Sequence, residues 1–158
     1  MNPSPLERQF SSPRDLLKKA RRDLGRLRSA EEGRDAIASF DAMIDACASV
    51  YHVKDWIVSL HSDRKSAAEK CAHESKWILL CRDVCTAAKH FGLRLEHPTF
   101  QRSPPAFQEM DHSAVAGAFG GLPLLKVRTE DDDYYYGPEV VSNAIADWER
   151  FLTSAKIP

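Results

Sequence analysis

The sequence predicts a mainly α protein: a helical bundle of about four helices with a small antiparallel β-hairpin near the C-terminus. Three observations carry this. Apolar residues recur at helical spacing through most of the chain, capping residues and prolines mark helix starts, and one stretch, 124–136, places strand-forming residues on both sides of a polar tip. With 158 residues the chain has the size of one domain. Residues 1–12, rich in proline, serine and polar groups, read as a flexible N-terminal arm, and residues 13–158 as the single domain.

Ser12 caps the first helix, with Pro13 at its first position and Asp15 three residues past the cap. Leu16, Leu17, Ala20, Leu24 and Leu27 form its apolar stripe. Arg14, Lys18, Arg21, Arg22 and Arg28 fall together on the other side and make a basic face. A second helix is expected to start near Glu31 and Glu32, whose charges suit a helix N-terminus, and to run to about Leu60. Its stripe reads Ile37, Phe40, Ile44, Cys47, Tyr51 and Val58. On that reading Asp55 falls within the stripe and His52 at its edge, and a carboxylate on a core face costs several kcal/mol unless it is paired.

Residues 61–74 are polar and read as a connection or a short extra turn. A third long helix is expected over 75–91, ended by Gly92 at the C-terminal cap. Trp77, Leu80, Val84, Ala88 and Phe91 make its main stripe; Asp83, Thr86 and His90 stack on the opposite side, with Arg82 and Lys89 on an adjoining flank. From Glu96 to Gly121 the chain reads as irregular, with an edge strand somewhere in 106–117. LLKVRT, EDDD and YYY then form the hairpin, the acidic residues being its turn. Pro138 opens a last helix to about Ala155, buried through Val141, Ala144, Ile145, Trp148 and Leu152.

The net charge is −1 but uneven: residues 1–28 carry eight Lys/Arg against three acids, and residues 129–158 two against seven. The two ends should attract one another or attract different partners. No apolar run approaches the length of a spanning helix, and the first residues lack a secretory pattern, so no membrane segment and a cytoplasmic location are expected. Cys47, Cys71, Cys81 and Cys85 form no CxxC pair and read as small core hydrophobes; a zinc site on Cys81 and Cys85 would need ligands from elsewhere.

If the second and third helices are antiparallel neighbours, His52, Asp55 and Asp83 lie at similar depth. One reading makes them a structural network in which Asp55 accepts from Lys89, Arg82 or His52 and fixes helix register. Another starts from a resemblance. Arg82, the polar Asp83 behind it and His90 further along the same helix resemble the Arg-polar-x-His signature of the HEPN superfamily, compact helical bundles that are often ribonucleases or toxins of defence systems. The resemblance spans about residues 13–95, and seven residues separate Arg82 from His90, more than the family pattern has.

What it implies is a metal-independent endoribonuclease or toxin acting on RNA, with no cofactor. An RNA 2′-hydroxyl attacks the adjoining phosphate, His90 exchanges the proton, Arg82 holds the charge on the phosphorane and Asp83 orients either one. Lys89 would add positive charge, and the basic face of the first helix, Arg14, Lys18, Arg21 and Arg22, would hold flanking phosphates. Two chains meeting through the Arg82–His90 helix, a homodimer, would bring both motifs into one cleft. A metal site on His52, Asp55, Asp83 and His90 is a further alternative, although the Glu-x-x-His pairs of di-metal bundles are missing. So is a non-catalytic module binding a protein partner through Tyr134–Tyr136, the acidic tip and the basic helix. His61, His73, His97 and His112 read as surface residues in loops.

Overall fold

A computed structural model describes the backbone of residues 10–90, 107–111, 125–129 and 133–158, with the side chains of all but 89, 90 and 107–111. Among the described residues, five helices surround one core: α1 (Pro13–Glu32), α2 (Ala36–Leu60), α3 (Lys65–Glu74), α4 (Lys76–His90) and α5 (Gly137–Ser154). A three-stranded antiparallel sheet, in the order β1 (Phe107–Asp111), β2 (Lys126–Thr129), β3 (Tyr134–Tyr136), lies against it. The expected hairpin is β2–β3, with Val127 opposite Tyr135, and the expected edge strand is β1. The turn residues 130–132, like Phe91, Gly92, His97 and His112, lie outside the described residues.

α1 begins as its capping residues require. The Asp15 carboxylate accepts from the Ser12 N–H at 3.0 Å and from the Ser11 N–H at 3.0 Å. Its stripe, Leu16 to Leu27, is buried as expected. The helix does not stop before Glu31, however. It runs on through Glu31 and Glu32, so these acids close the first helix and do not open the second.

The second helix starts at Ala36, five residues after Glu31, and backbone geometry explains it. Arg34 adopts φ 57°, the Arg34 N–H reaches the Glu31 carbonyl (3.0 Å) and the Asp35 N–H reaches the Ala30 carbonyl (2.9 Å), a Schellman closure. Asp35 then caps α2, accepting from the Ala38 N–H at 2.9 Å.

The hairpin of α1 and α2 has the most extensive helix–helix packing in the fold. α2 turns a face of mostly small residues inward: Ala42, Met43, Ala46, Cys47, Ser49, Val50, Val53 and Ile57 are buried. Small side chains let two helices approach closely, and this overrides the larger residues of the expected stripe. Ile37 is 76% exposed, and Phe40, Ile44, Tyr51 and Val58 are only half-buried. Asp55 therefore lies off the core face.

The 61–74 connection is a 3₁₀ turn (Ser62–Arg64) and the helix α3, which buries Ala68 and Ala72; His73 lies on that helix. α4 packs on α2, α5 and β1. Its buried residues are Ile78, Leu79, Leu80, Cys81, Asp83 and Val84, whereas Trp77 is half-buried and Ala88 exposed, so its inner face is broader than the expected stripe and rotated from it. Covered from several sides, a helix needs apolar residues around most of its girth.

α5 buries Val141, Ala144, Ile145, Trp148 and Leu152 as expected. It also meets α1, and the uneven charges of the chain meet there: Arg21 pairs with Glu149, and Arg14 Nε donates to the Ile157 carbonyl at 3.2 Å. At the start of α5, the Gly137 N–H donates to the Leu125 carbonyl at 2.8 Å. A Cβ at Gly137 would stand 3.2 Å from that same oxygen, so glycine permits the approach.

Candidate functional site

α4 carries the residues to which the sequence points first, and its own start is fixed from α5. The Ser75 hydroxyl accepts from the Ile78 N–H at 3.2 Å and donates to the Asp147 carboxylate. Two turns on, Arg82 and Asp83 form a tight pair: Arg82 Nε lies 2.7 Å and Nη2 2.6 Å from Asp83 Oδ1. The Arg82 side chain keeps 18% of its surface exposed and that of Asp83 only 3%. A guanidinium turned onto a buried carboxylate compensates it electrostatically through charge-assisted hydrogen bonds. The guanidinium is thus engaged inside the fold.

His90 and Lys89 occupy the last turn of α4, with His90 about 12 Å beyond Arg82 along the axis. The side chains of both lie outside those described.

His52 and Asp55 meet each other, not Asp83. His52 Nδ1 lies 3.0 Å from Asp55 Oδ2, Lys54 Nζ lies 3.5 Å from Asp55 Oδ1, and His52 and Asp55 are both more than half exposed. The expected shared network of His52, Asp55 and Asp83 inside the bundle is therefore replaced by two separate clusters, one on the surface of α2 and one within α4. The cause is the rotation of the α2 core face. Among the described residues no group of three or more His, Cys, Asp or Glu is arranged to hold a metal.

Several basic residues of α1 are met by acids of their own chain. Lys18 pairs with Asp15 at 2.8 Å, Arg21 with Glu149, and Arg26 with Asp23 (3.0 Å) and Asp45 (3.1 Å). The Lys18 ammonium, aided by the Ser11 and Ser12 N–H groups, holds the Asp15 carboxyl well below the usual carboxylate range against the opposing effect of burial. Arg14 is turned onto a carbonyl, and Arg22 and Arg28 are exposed.

Two buried carboxylates escape the sequence reading. Asp23 is 4% exposed and accepts from Lys19 (2.6 Å) and Arg26 (3.0 Å), while Ser49 of α2 accepts from Lys19 at 2.9 Å. Its signal was available: Asp23 follows Leu16 and Ala20 at helical spacing, on the core face of α1. Glu31 is 3% exposed; its Oε1 accepts from the Leu125 N–H at 2.9 Å and its Oε2 from the Tyr136 hydroxyl at 2.6 Å. Burial, and then the Glu31 carboxylate, push the Tyr136 phenol well above its ordinary value. No local signal marks Glu31, because both partners lie about a hundred residues away.

The four cysteines are free. Cys47 and Cys81 are fully buried, and burial raises the Cys47 thiol well above its ordinary value, as in an inert core thiol. Cys71, half-buried beside Asp147 and Glu74, is pushed up to about 11, first by burial and then by those acids. Among the described residues no helix is long and apolar enough to cross a membrane. A groove of about 550 Å³ lies at the end of α2, lined by Phe10, Ser11, Asp55, Trp56, Ser59 and Leu60. Comparison of the chain with protein-family models, curated proteins and solved structures finds no match.

Proposed function

We propose that this chain is a non-catalytic helical binding module in which the Arg82–Asp83 pair is a structural lock for α4. The observation that carries the reading is the engagement of Arg82: two of its nitrogens converge on one oxygen of a carboxylate that is almost wholly buried. A phosphate clamp presents its guanidinium fork to the substrate, and here the Nε–Nη2 edge of that fork is turned onto Asp83. The packing of α4 on α2, α5 and β1 points the same way, since a helix covered on several sides serves as a scaffold for the surfaces around it. Partner contacts then fall to exposed groups elsewhere, among them Tyr134, 53% exposed on β3.

A metal-independent endoribonuclease or toxin of the HEPN kind is the second reading. The continuity of α4 to its last turn favours it, because Arg82 and His90 then ride on one rigid rod. In that reading His90 moves the proton, Arg82 and Lys89 hold the phosphate, and a homodimer through α4 completes the cleft for RNA.

One experiment separates the two: incubation of total RNA in EDTA with wild type, Arg82→Ala and His90→Ala, with thermal melts alongside. The module reading expects intact RNA and an Arg82→Ala variant that melts below the wild type, because a buried carboxylate has lost one of its charge-assisted contacts. Cleavage that survives chelation and disappears in both variants at unchanged Tm would overturn it in favour of the nuclease.

A further inference from the structure

The groove at the end of α2 has the composition of a cation site. Asp55 and Trp56, with Ser59 and Leu60 four residues on, present one face of the last turns of the helix, and Phe10 and Ser11 close the groove from the approach to α1. The Phe10 and Trp56 rings meet at 65° with centroids 6.3 Å apart, so the two rings form a corner. Trp56 is half-buried and packed on the core, which fixes that wall, whereas Leu60 is 51% exposed and leaves the groove open. The volume of about 550 Å³ suits a small organic ligand.

We propose that this groove, walled by Phe10, Trp56 and Leu60 with Asp55 at its rim, binds an organic ammonium ion, a quaternary or methylated amine. An anion meets the Asp55 carboxylate and no Lys or Arg among the lining residues. A bare metal ion finds one carboxylate and no further set of charged oxygens, too few for its coordination shell. A methylated ammonium is weakly hydrated, fills apolar walls and is attracted both by ring faces and by a carboxylate.

At Asp55 the ligand cation takes the place of the Lys54 ammonium. His52 Nδ1 holds Oδ2 at 3.0 Å, but Oδ1 has only the longer 3.5 Å contact with Lys54. The Lys54 ammonium also lies 5.1 Å from the centre of the Tyr51 ring, a resting place one turn back along the helix. The site shares no residue with the Arg82–Asp83 pair, so it stands or falls independently of the function assigned to α4.

The test is titration of the full chain with choline and, separately, with its uncharged carbon isostere, in which a tert-butyl group replaces trimethylammonium. The readout is the indole N–H resonance of Trp56, assigned with Trp56→Phe; Trp77 and Trp148 serve as internal controls. Choline is expected to move the Trp56 resonance saturably, with the isostere at least ~10-fold weaker, the discrimination expected of a desolvated cation on aromatic faces. Asp55→Asn, at an exposed position, is expected to keep the wild-type Tm and to weaken choline binding several-fold. Equal affinity for the isostere, unchanged affinity in Asp55→Asn, or no saturable shift would each overturn the proposal.

Discussion

At the residue scale the most consequential side chain is Glu31. It sits at the end of α1 and is held there by two donors from the far part of the chain, the Leu125 N–H and the Tyr136 hydroxyl. Glu31→Ala strands a buried N–H and is expected to destabilise by about 2–3 kcal/mol, against about 1 kcal/mol for Tyr136→Phe, both read from urea midpoints. The phenol adds a pH signature. Its folded value is raised above the ordinary 10.0, so its contribution is complete below pH 10 and is lost as the pH climbs through the folded value. Wild type should therefore lose stability relative to Tyr136→Phe in alkali, and parallel melts across that range would check it. Asp15 behaves in the opposite sense. Its folded value is depressed, so its cap is worth about 1 kcal/mol at neutral pH and fades as the pH falls below the ordinary 3.8. The difference in Tm between wild type and Asp15→Ala should close in acid.

At the scale of elements, helix ends were legible where the side chain itself makes the cap and obscure where the backbone does. Ser12, Pro13 and Asp15 announce α1, and the apolar spacing of α1 and α5 names their buried faces correctly. The α1–α2 junction is different, because its closure rests on an arginine in a conformation that glycine favours. Arg34→Gly should accordingly stabilise the protein by up to ~1 kcal/mol, seen as a rise in Tm with no change in helix content by circular dichroism. The face of α2 was misread for a related reason. Hydrophobicity ranks Ile37 and Ile44 above Ala42 and Ala46, yet close packing against α1 rewards small size, and that shift moved Asp55 from an expected core position to the surface. The candidate site suffered with it: the adjacency of Arg82 and Asp83 was legible, while the separation of His52 and Asp55 from them depended on helix rotation. The Phe10–Trp56 corner joins residues 46 positions apart and had no local signature at all.

At the scale of the whole molecule, the opposite charges of the two ends of the chain find each other within the fold. Arg21 of α1 meets Glu149 of α5, and neighbouring basic residues are met by Asp15, Asp23 and Asp45. Two residues of the basic face that looked available to phosphates, Lys18 and Arg21, are thereby used for internal pairing, while Arg22 and Arg28 stay exposed. Reversing one partner, Arg21→Glu, is expected to cost up to ~1 kcal/mol at low salt, and Glu149→Arg in the same chain should restore it. Loss of the effect at high ionic strength would confirm its electrostatic origin, since exposed charges are screened within roughly 10 Å.

The Glu31 tether also orders events in time. α1 and α2 are neighbours in sequence and form their hairpin from local contacts, whereas Leu125 lies 94 residues beyond Glu31, and closing so long a loop is delayed by its entropy. The two bonds of Glu31 are therefore expected to form late, after the main barrier. Interactions made that late leave the folding rate almost untouched and govern instead how slowly the native state comes apart. Glu31 is thus expected to act as a brake on opening, and Glu31→Ala to speed unfolding while leaving the folding rate almost unchanged in stopped-flow measurements.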